Sequence, residues 1–343
     1  SKTNRPKQVV KLVSENTMIR ETLKRTLSIV PFERTFIITG NDLKNTIREY
    51  EPDITDDRFI IEPVAKNTAP AIILAAAEIC AEFGDGIMYV LSSDHFISPV
   101  NMCVDNLAFA GKIVRSNEKL VIMGIQPTRA ETAYGYIHVS GKIMENDGIR
   151  SFYVRSFQEK PSRIEAQEYY LSGEYLWNSG NFIFRAGKIL EQARNFLPEF
   201  SALIDDYIAH YHTPQAEEKL AKAFEAAPSI SIDYAILEKS DEVTVLWGSF
   251  LWDDLGSWSA LERVLNSDRN NNVTAGKGKT GLFETFETTV YNDSDGVIVT
   301  FGVSDIVVVR IDNVTFVMNK TRISEMRELI TKLKESSELA QYL

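Results

Sequence analysis

The first 260 residues alternate between two hydrophobic patterns. Short apolar runs, among them residues 35–39 (TFIIT), 58–61, 87–91 (IMYVL) and 119–124, are separated by longer segments whose apolar positions recur at helical spacing. The runs read as strands. Gly86 and Ser92 bound the third, which has the composition of a strand buried on both faces of a parallel sheet. Ser14 is placed to cap a helix carrying Met18, Ile19, Thr22, Leu23 and Leu27, and Asn41 and Asp42 open a second. Asn67 or Thr68 caps an alanine-rich helix over residues 71–83, with Pro70 in its first turn. A further helix spans residues 100–115. This alternation predicts βαβ units and an α/β fold.

From Thr128 the rhythm changes. Residues 134–139 and 149–157 read as strands with no helix between them, followed by a helix up to Leu171 and the segment LWNSGNFIF (176–184). Helical patterns fill residues 188–227, a short helix covers 231–237, and a strand at 242–247 runs toward WDDLGSW (252–258). After Asp268, short β segments at 270–273, 289–291, 297–301 and 306–309 are joined by Asn, Asp, Ser and Gly turns, which predicts a small β-solenoid or sandwich. Ile323, Met326, Leu329, Ile330 and Leu333 form the apolar stripe of a closing helix. The expected domains are therefore residues 1–267 and 268–343.

The balance of 44% hydrophobic and 25% charged residues is that of a soluble globular protein. A net charge of −11 argues against a nucleic-acid or acidic-membrane partner, yet leaves room for a small anion held by a local cluster of cations. Cys80 and Cys103 have neither metal nor redox spacing, so a reducing compartment is expected. The opening SKTNRPKQVV lacks an apolar core segment and no run reaches membrane-spanning length; a cytoplasmic location follows as the expectation. Residues 1–8, with Lys2, Arg5 and Lys7 around Pro6, read as a solvated basic arm.

Ligands of open α/β sheets bind beyond the carboxyl ends of the strands, which is where Asp94 stands, in SSDH (92–95). Asp253 and Asp254 occupy a turn between tryptophans. Two carboxylates about 5 Å apart repel by roughly 3 kcal/mol at an effective dielectric near 20, so they need a shared proton or cation. Oxygen-only ligands suit Mg²⁺, which completes its shell with phosphate oxygens and water. Lys7, Lys66 and Lys160 lie in turn-rich stretches. Asn67, Thr68 and Asn178 can read hydroxyls or base edges, and Gly135 and Gly180 fit places where backbone nears a ligand. His210 and His212, two apart in a helical pattern, cannot share a metal, and His95 supports the Asp94 turn.

Eight segments taken together resemble the mannose-1-phosphate guanylyltransferases (GDP-mannose pyrophosphorylases), of the nucleotidyltransferase family. They are RPKQ (5–8), EPVAKNTAPAI (62–72), SSDH (92–95), GIQPTRAETAYGYI (124–137), FQEKP (157–161), WNSGNF (177–182), SIDYAILEKS (231–240) and WDDLGSW (252–258), in the family's order and spacing. The resemblance implies a Rossmann-like nucleotidyltransferase domain with a mixed, mainly parallel sheet, then a small left-handed β-helix and a closing helix. It implies transfer of GMP from GTP to mannose 1-phosphate by Mg²⁺-assisted in-line attack, releasing pyrophosphate. By resemblance, Asp94 and Asp254 are the Mg²⁺ ligands and Lys7 neutralises the nucleotide phosphates. Asn67, Thr68 and Ser93 contact the nucleotide. Gly135, Glu159 and Asn178 bind the sugar, and Lys160 the sugar phosphate.

The sequence departs from the family at Ser92, where proline is frequent, at Ala133 (glycine) and at Asn181 (methionine). Family members also begin with a strand and a glycine-rich loop, GGxGxRLWPxS, and this sequence starts at that loop's last serine. A preceding segment is therefore expected. The sequence ends at Leu343, so no added metal-binding barrel for a bifunctional enzyme is expected. Two other readings stay open: a pyrophosphorylase for another nucleotide or hexose 1-phosphate, and a non-catalytic nucleotide-sugar-binding relative. The β segments after residue 268 offer a surface for a homodimer.

Overall fold

The computed structural model describes residues 5–146 and 148–342. In chain order its strands and helices are α1 (Met18–Thr26), β1 (Ile37–Thr39), α2 (Asn41–Tyr50), β2 (Phe59–Ile61), α3 (Thr68–Phe83), β3 (Ile87–Val90), β4 (Phe96–Ser98), α4 (Val100–Asn117) and β5 (Leu120–Ile125). There follow β6 (Gly135–Asn146), β7 (Ile149–Glu159), α5 (Arg163–Ser172), β8 (Tyr175–Arg185), α6 (Ala186–Phe196), α7 (Pro198–Ala209), α8 (Ala216–Ala226), β9 (Val243–Gly248), β10 (Leu251–Asp253) and α9 (Leu261–Val264). The C-terminal part holds β11 (Val273–Ala275), β12 (Lys279–Phe283), β13 (Thr289–Asp293), β14 (Val297–Phe301), β15 (Ile306–Ile311), β16 (Val314–Asn319) and α10 (Met326–Glu335). The chain folds into two compact units. One comprises Lys24–Ser92 with Ile97–Trp252; the other comprises the chain up to Leu23, Ser93–Phe96, and everything from Asp253 onward.

In the first unit a six-stranded sheet has the order β3-β8-β5-β9-β7-β6, with β6 also pairing β8. The sheet is mixed: β5 and β9 run parallel, and the other pairings are antiparallel. Strand β5 is buried throughout, and its side chains alternate between two cores. Leu120 and Ile122 join the core under α3, α6, α7 and α8, while Val121 and Met123 join the one under α4. Strand β3, expected inside a parallel sheet, pairs only with β8 among the described residues and is half-buried. The reason lies in LWNSGNFIF, which forms the long strand β8 and takes the place beside β3. Alanine-rich α3 buries every residue from Ala69 to Ala77, as its small side chains allow against a sheet.

In the second unit β11, β13 and β15 stack in parallel with Val273, Thr289 and Val307 in register, and antiparallel β16 closes the sheet. Strands β12 and β14 pair in parallel alongside. These coils bury polar residues as well as apolar ones. Asn272 donates to the Thr285 carbonyl at 2.8 Å and accepts from the Thr288 amide at 3.0 Å, and the hydroxyls of Thr285 and Thr300 meet at 2.9 Å. The buried corners are thereby satisfied in the manner such groups require.

Two sequence expectations change here. Helix α1 starts at Met18 rather than after Ser14, because the Thr17 hydroxyl caps it, accepting from the Arg20 amide at 3.2 Å. Ser14 instead donates to Glu21 at 2.7 Å. Arg5–Gln8 is not a solvated arm: Arg5 pairs with buried Asp293 at 2.5 Å, and Val9 and Val10, just beyond, are buried. Ser1–Asn4 lie outside the described residues.

Candidate active site

The chain places the candidate residues in two groups, each built within one unit. The first centres on Lys7, in a short 3₁₀ turn (Lys7–Val9) that follows Pro6. Its ammonium stands 3.0 Å from Asp94 Oδ2 and donates to the backbone carbonyl of Asp254. Gln8 donates to the same Asp94 oxygen at 3.4 Å, and His95 Nε2 lies 4.0 Å from Asp94 Oδ1. Lys7 and Asp94 keep about a quarter of their side-chain surface exposed, so solvent screens the pair. Ser93 precedes Asp94 in the same turn.

The structure separates the two aspartates of WDDLGSW. Asp253 is 1% exposed and holds Arg263 through both carboxylate oxygens, at 2.6 and 2.9 Å, while accepting from the Leu255 amide at 2.9 Å. It is committed to the fold. Asp254 accepts from the Gly256 amide at 3.0 Å, forming a tight Asx turn in which Leu255 takes a left-handed backbone, φ 47°. The Lys7 ammonium thus joins the Asp94 carboxylate to the backbone carbonyl of Asp254, while the Asp254 carboxylate is turned to the Gly256 amide. Among the described residues no cluster of three or more His, Cys, Asp or Glu could hold a metal. Beside Lys7 the chain offers the Asp94 carboxylate and the Asp254 carbonyl, oxygen donors with no softer ligand, and these fit Mg²⁺, which needs only one or two carboxylates from the protein.

The second group lies where β6, β7 and β8 meet. Gly135 pairs with Glu159 in the ladder, and a β-carbon added to Gly135 would stand 2.2 Å from Glu159 Oε2 and 3.4 Å from the Asn178 β-carbon. A side chain at this position would displace the Glu159 carboxylate, while the Gly135 φ is ordinary. Asn178 donates from Nδ2 to Asp233 Oδ1 at 2.6 Å and accepts at Oδ1 from the Gly180 amide at 3.0 Å, with Gly180 left-handed at φ 67°. Burial, then the negative charge of Asp233, raises the Glu159 carboxyl above its ordinary value. Burial likewise raises Asp233, opposed by the hydrogen bond from Asn178. Lys160 reaches to 3.9 Å from Glu159 with its side chain 69% exposed.

Asn67 and Thr68 stand at the amino end of α3. Asn67 accepts from the Thr68 amide at 2.8 Å with a left-handed φ of 71°. The Thr68 hydroxyl accepts from the Ile232 amide at 2.9 Å, which ties the helix start to the residue before Asp233. Lys66 donates to the Glu225 carbonyl at 3.4 Å. His210 lies just past α7 against Asp206 (3.5 Å) and His212 against Glu82 (3.2 Å), so neither joins a site. The sequence reading missed Asp233 and Gln8. The signal for Asp233 was an acid opening a short apolar helix, SIDYAIL; the structure makes this a π-helical turn (Asp233–Leu237) anchored by buried Ala235, Ile236 and Leu237. Asn181, a departure from the family, is buried and donates to Ser179 at 3.1 Å.

The profile of the nucleotidyl transferase family matches residues 1–271, and that of the MannoseP isomerase/GMP-like beta-helix domain matches residues 281–333. The mannose-1-phosphate guanylyltransferase RfbM of Salmonella typhimurium is 34% identical over 342 residues, covering 96% of this chain and 68% of that protein. A mannose-1-phosphate guanylyltransferase of Klebsiella pneumoniae is 32% identical over 343 residues, covering 96% and 70%. Among solved structures, one from Thermus thermophilus, described as a mannose-1-phosphate geranyltransferase, superposes with a TM-score of 0.87 at 34% identity, covering 97% of this chain and 94% of that one. The chain belongs to the nucleotidyl transferase family, among its mannose-1-phosphate guanylyltransferases.

Proposed function

We propose that this protein transfers GMP from GTP to mannose 1-phosphate, giving GDP-mannose and pyrophosphate. A phosphate oxygen of the sugar ester attacks the α-phosphorus in line; the new P–O bond forms as the bond to the β-phosphate oxygen breaks, and pyrophosphate leaves with the electron pair. The attacking phosphate is already ionised, so no general base is needed and the protein's task is positioning and charge neutralisation. Lys7 supplies a positive charge for the triphosphate. Asp94 and Asp254 would hold Mg²⁺, which when bound offsets charge on the phosphate oxygens. Asn67, Thr68 and Ser93 contact the nucleotide; Gly135, Glu159 and Asn178 receive the hexose, and exposed Lys160 meets its phosphate.

The observation that supports this reading is the Lys7 ammonium between the Asp94 carboxylate and the Asp254 backbone carbonyl, which brings three distant parts of the chain together. Residues 1–267 serve as the catalytic domain and 268–343 as the β-helix domain. Val297, Val299 and Phe301, all exposed along β14, support a homodimer, which light scattering checks. No described helix is long and apolar enough to cross a membrane, and free thiols at Cys80 and Cys103 suit the cytoplasm. The test is Mg²⁺-dependent pyrophosphate release by the full-length protein with GTP, ATP or UTP and a panel of hexose 1-phosphates. GTP with mannose 1-phosphate should be the fastest pair, and Asp94→Ala and Asp254→Ala should each abolish release while remaining folded. A different preferred pair, or undiminished turnover in both variants, overturns the reading.

A further inference from the structure

The least economical feature of the sugar group is Asp233. It is half-buried near a second carboxylate, Glu159, whose proton affinity burial raises first and the charge of Asp233 raises further. A fold needing only to fill this space would use a neutral side chain, since close carboxylates repel. Asp233 bonds Ser231 and its own backbone within the turn, and across the fold it bonds the Asn178 amide. Asn178 Oδ1 accepts from the Gly180 amide and one Nδ2 hydrogen goes to Asp233. Turning the amide over would set its NH₂ against an N–H and its oxygen against a carboxylate, both repulsive. One Nδ2 hydrogen then remains, on a side chain whose β-carbon shares the space above Gly135 with the Glu159 carboxylate. The segment carrying Asp233 is fixed in turn: the Ile232 amide donates to Thr68, and the Ile230 carbonyl accepts from the Ala69 amide at 3.1 Å.

We infer that Asp233 is a positioning residue for the hexose: it locks Asn178 in one orientation, so that the remaining Asn178 N–H and the Glu159 carboxylate form a donor–acceptor pair for a single ring hydroxyl. A hydroxyl both accepts and donates, so it satisfies the pair; a ring carbon without it leaves a half-buried donor and a half-buried carboxylate unanswered. The inference rests on the proposed function, through the placing of Glu159 and Asn178 at the sugar.

The test is steady-state kinetics of the full-length protein and its Asp233→Leu and Asp233→Asn variants, with GTP, mannose 1-phosphate and the monodeoxy mannose 1-phosphates. In Asp233→Leu the KM for mannose 1-phosphate should rise about tenfold to a hundredfold, as for a lost hydrogen bond to a charged group, with the KM for GTP nearly constant. Asp233→Asn, whose carbonyl can still accept from Asn178, should recover most of the loss. One monodeoxy analogue should be a poor substrate of the wild type yet lose nothing further in Asp233→Leu. Should Asp233→Leu not fold, Asp233→Ala carries the same comparison. An unchanged sugar KM, or parallel rises in both KM values without rescue by Asp233→Asn, overturns the inference alone. Failure of the wild type to use GTP and mannose 1-phosphate overturns the proposed function and the inference with it.

Discussion

Substituting Gly135 by alanine isolates the sugar group from the rest of the fold. The backbone at Gly135 is compatible with any L-residue, so the change adds one methyl group and little strain. That methyl would stand 2.2 Å from Glu159 Oε2, whereas ordinary contact begins at 3.4 Å. The Glu159 carboxylate must therefore retreat by about 1 Å, which a terminal carboxylate can do by rotating its side-chain torsions at a cost of about 1 kcal/mol. A displacement of that size at a substrate-orienting group lowers the rate by up to about a hundredfold. We predict that Gly135→Ala keeps its unfolding midpoint within a few degrees while kcat/KM for mannose 1-phosphate falls about tenfold to a hundredfold, the KM for GTP being little changed. Thermal denaturation and initial-rate kinetics on one preparation suffice. A variant of normal stability and normal kcat/KM would refute the placing of Glu159 at the sugar.

Burial pushes the Cys103 thiol up to about 11, so at pH 8 its thiolate fraction is about one in a thousand. Labelling of native protein by iodoacetamide should modify Cys103 about a hundredfold more slowly than in the denatured chain, as peptide mapping would read. Glu78 on α3 is raised above its ordinary 4.5 by burial, against a hydrogen bond from Tyr207 at 2.9 Å. The folded state then holds this proton more tightly than the unfolded chain, so its contribution is present below pH 4.5 and is lost as pH rises through the higher folded value. Glu78→Gln, which still accepts from Tyr207, should melt at a higher temperature than wild type at pH 7, the gap closing near pH 4; a gap independent of pH would refute this. Ser162→Ala should destabilise by about 1 kcal/mol in urea titration, since Ser162 and Glu165 cap α5 reciprocally.

Local chemistry made much of this protein legible. Asn67, Pro70 and the alanine run that follows define α3 almost to the residue, because cap, first turn and small-residue face agree. Glu159 was singled out only through the family resemblance, and it meets Gly135 and Asn178 because β6 pairs with both β7 and β8. Pairing partners were less readable. Apolar runs such as residues 87–91 announce a strand but not which neighbour it takes, and LWNSGNFIF hid a strand behind its polar residues Asn178, Ser179 and Asn181. Strands β12 and β16 went unread because glycine at 281 and alternating half-exposure at 314–319 weaken the pattern, and the coils rest partly on buried Asn and Thr. Asp233 was missed for a similar reason: a half-buried carboxylate looks like a helix cap until its partner, 55 residues away, is known.

The most direct measurement is of the cation itself. Electron paramagnetic resonance of Mn²⁺ titrated into the full-length protein with GTP distinguishes bound from free metal without requiring turnover. We predict one bound Mn²⁺ in the wild type, displaced by excess Mg²⁺, and loss of that bound ion beyond what GTP alone holds in Asp94→Asn and in Asp254→Asn. Retention of the wild-type signal in both variants would contradict the placing of a divalent ion between these two aspartates.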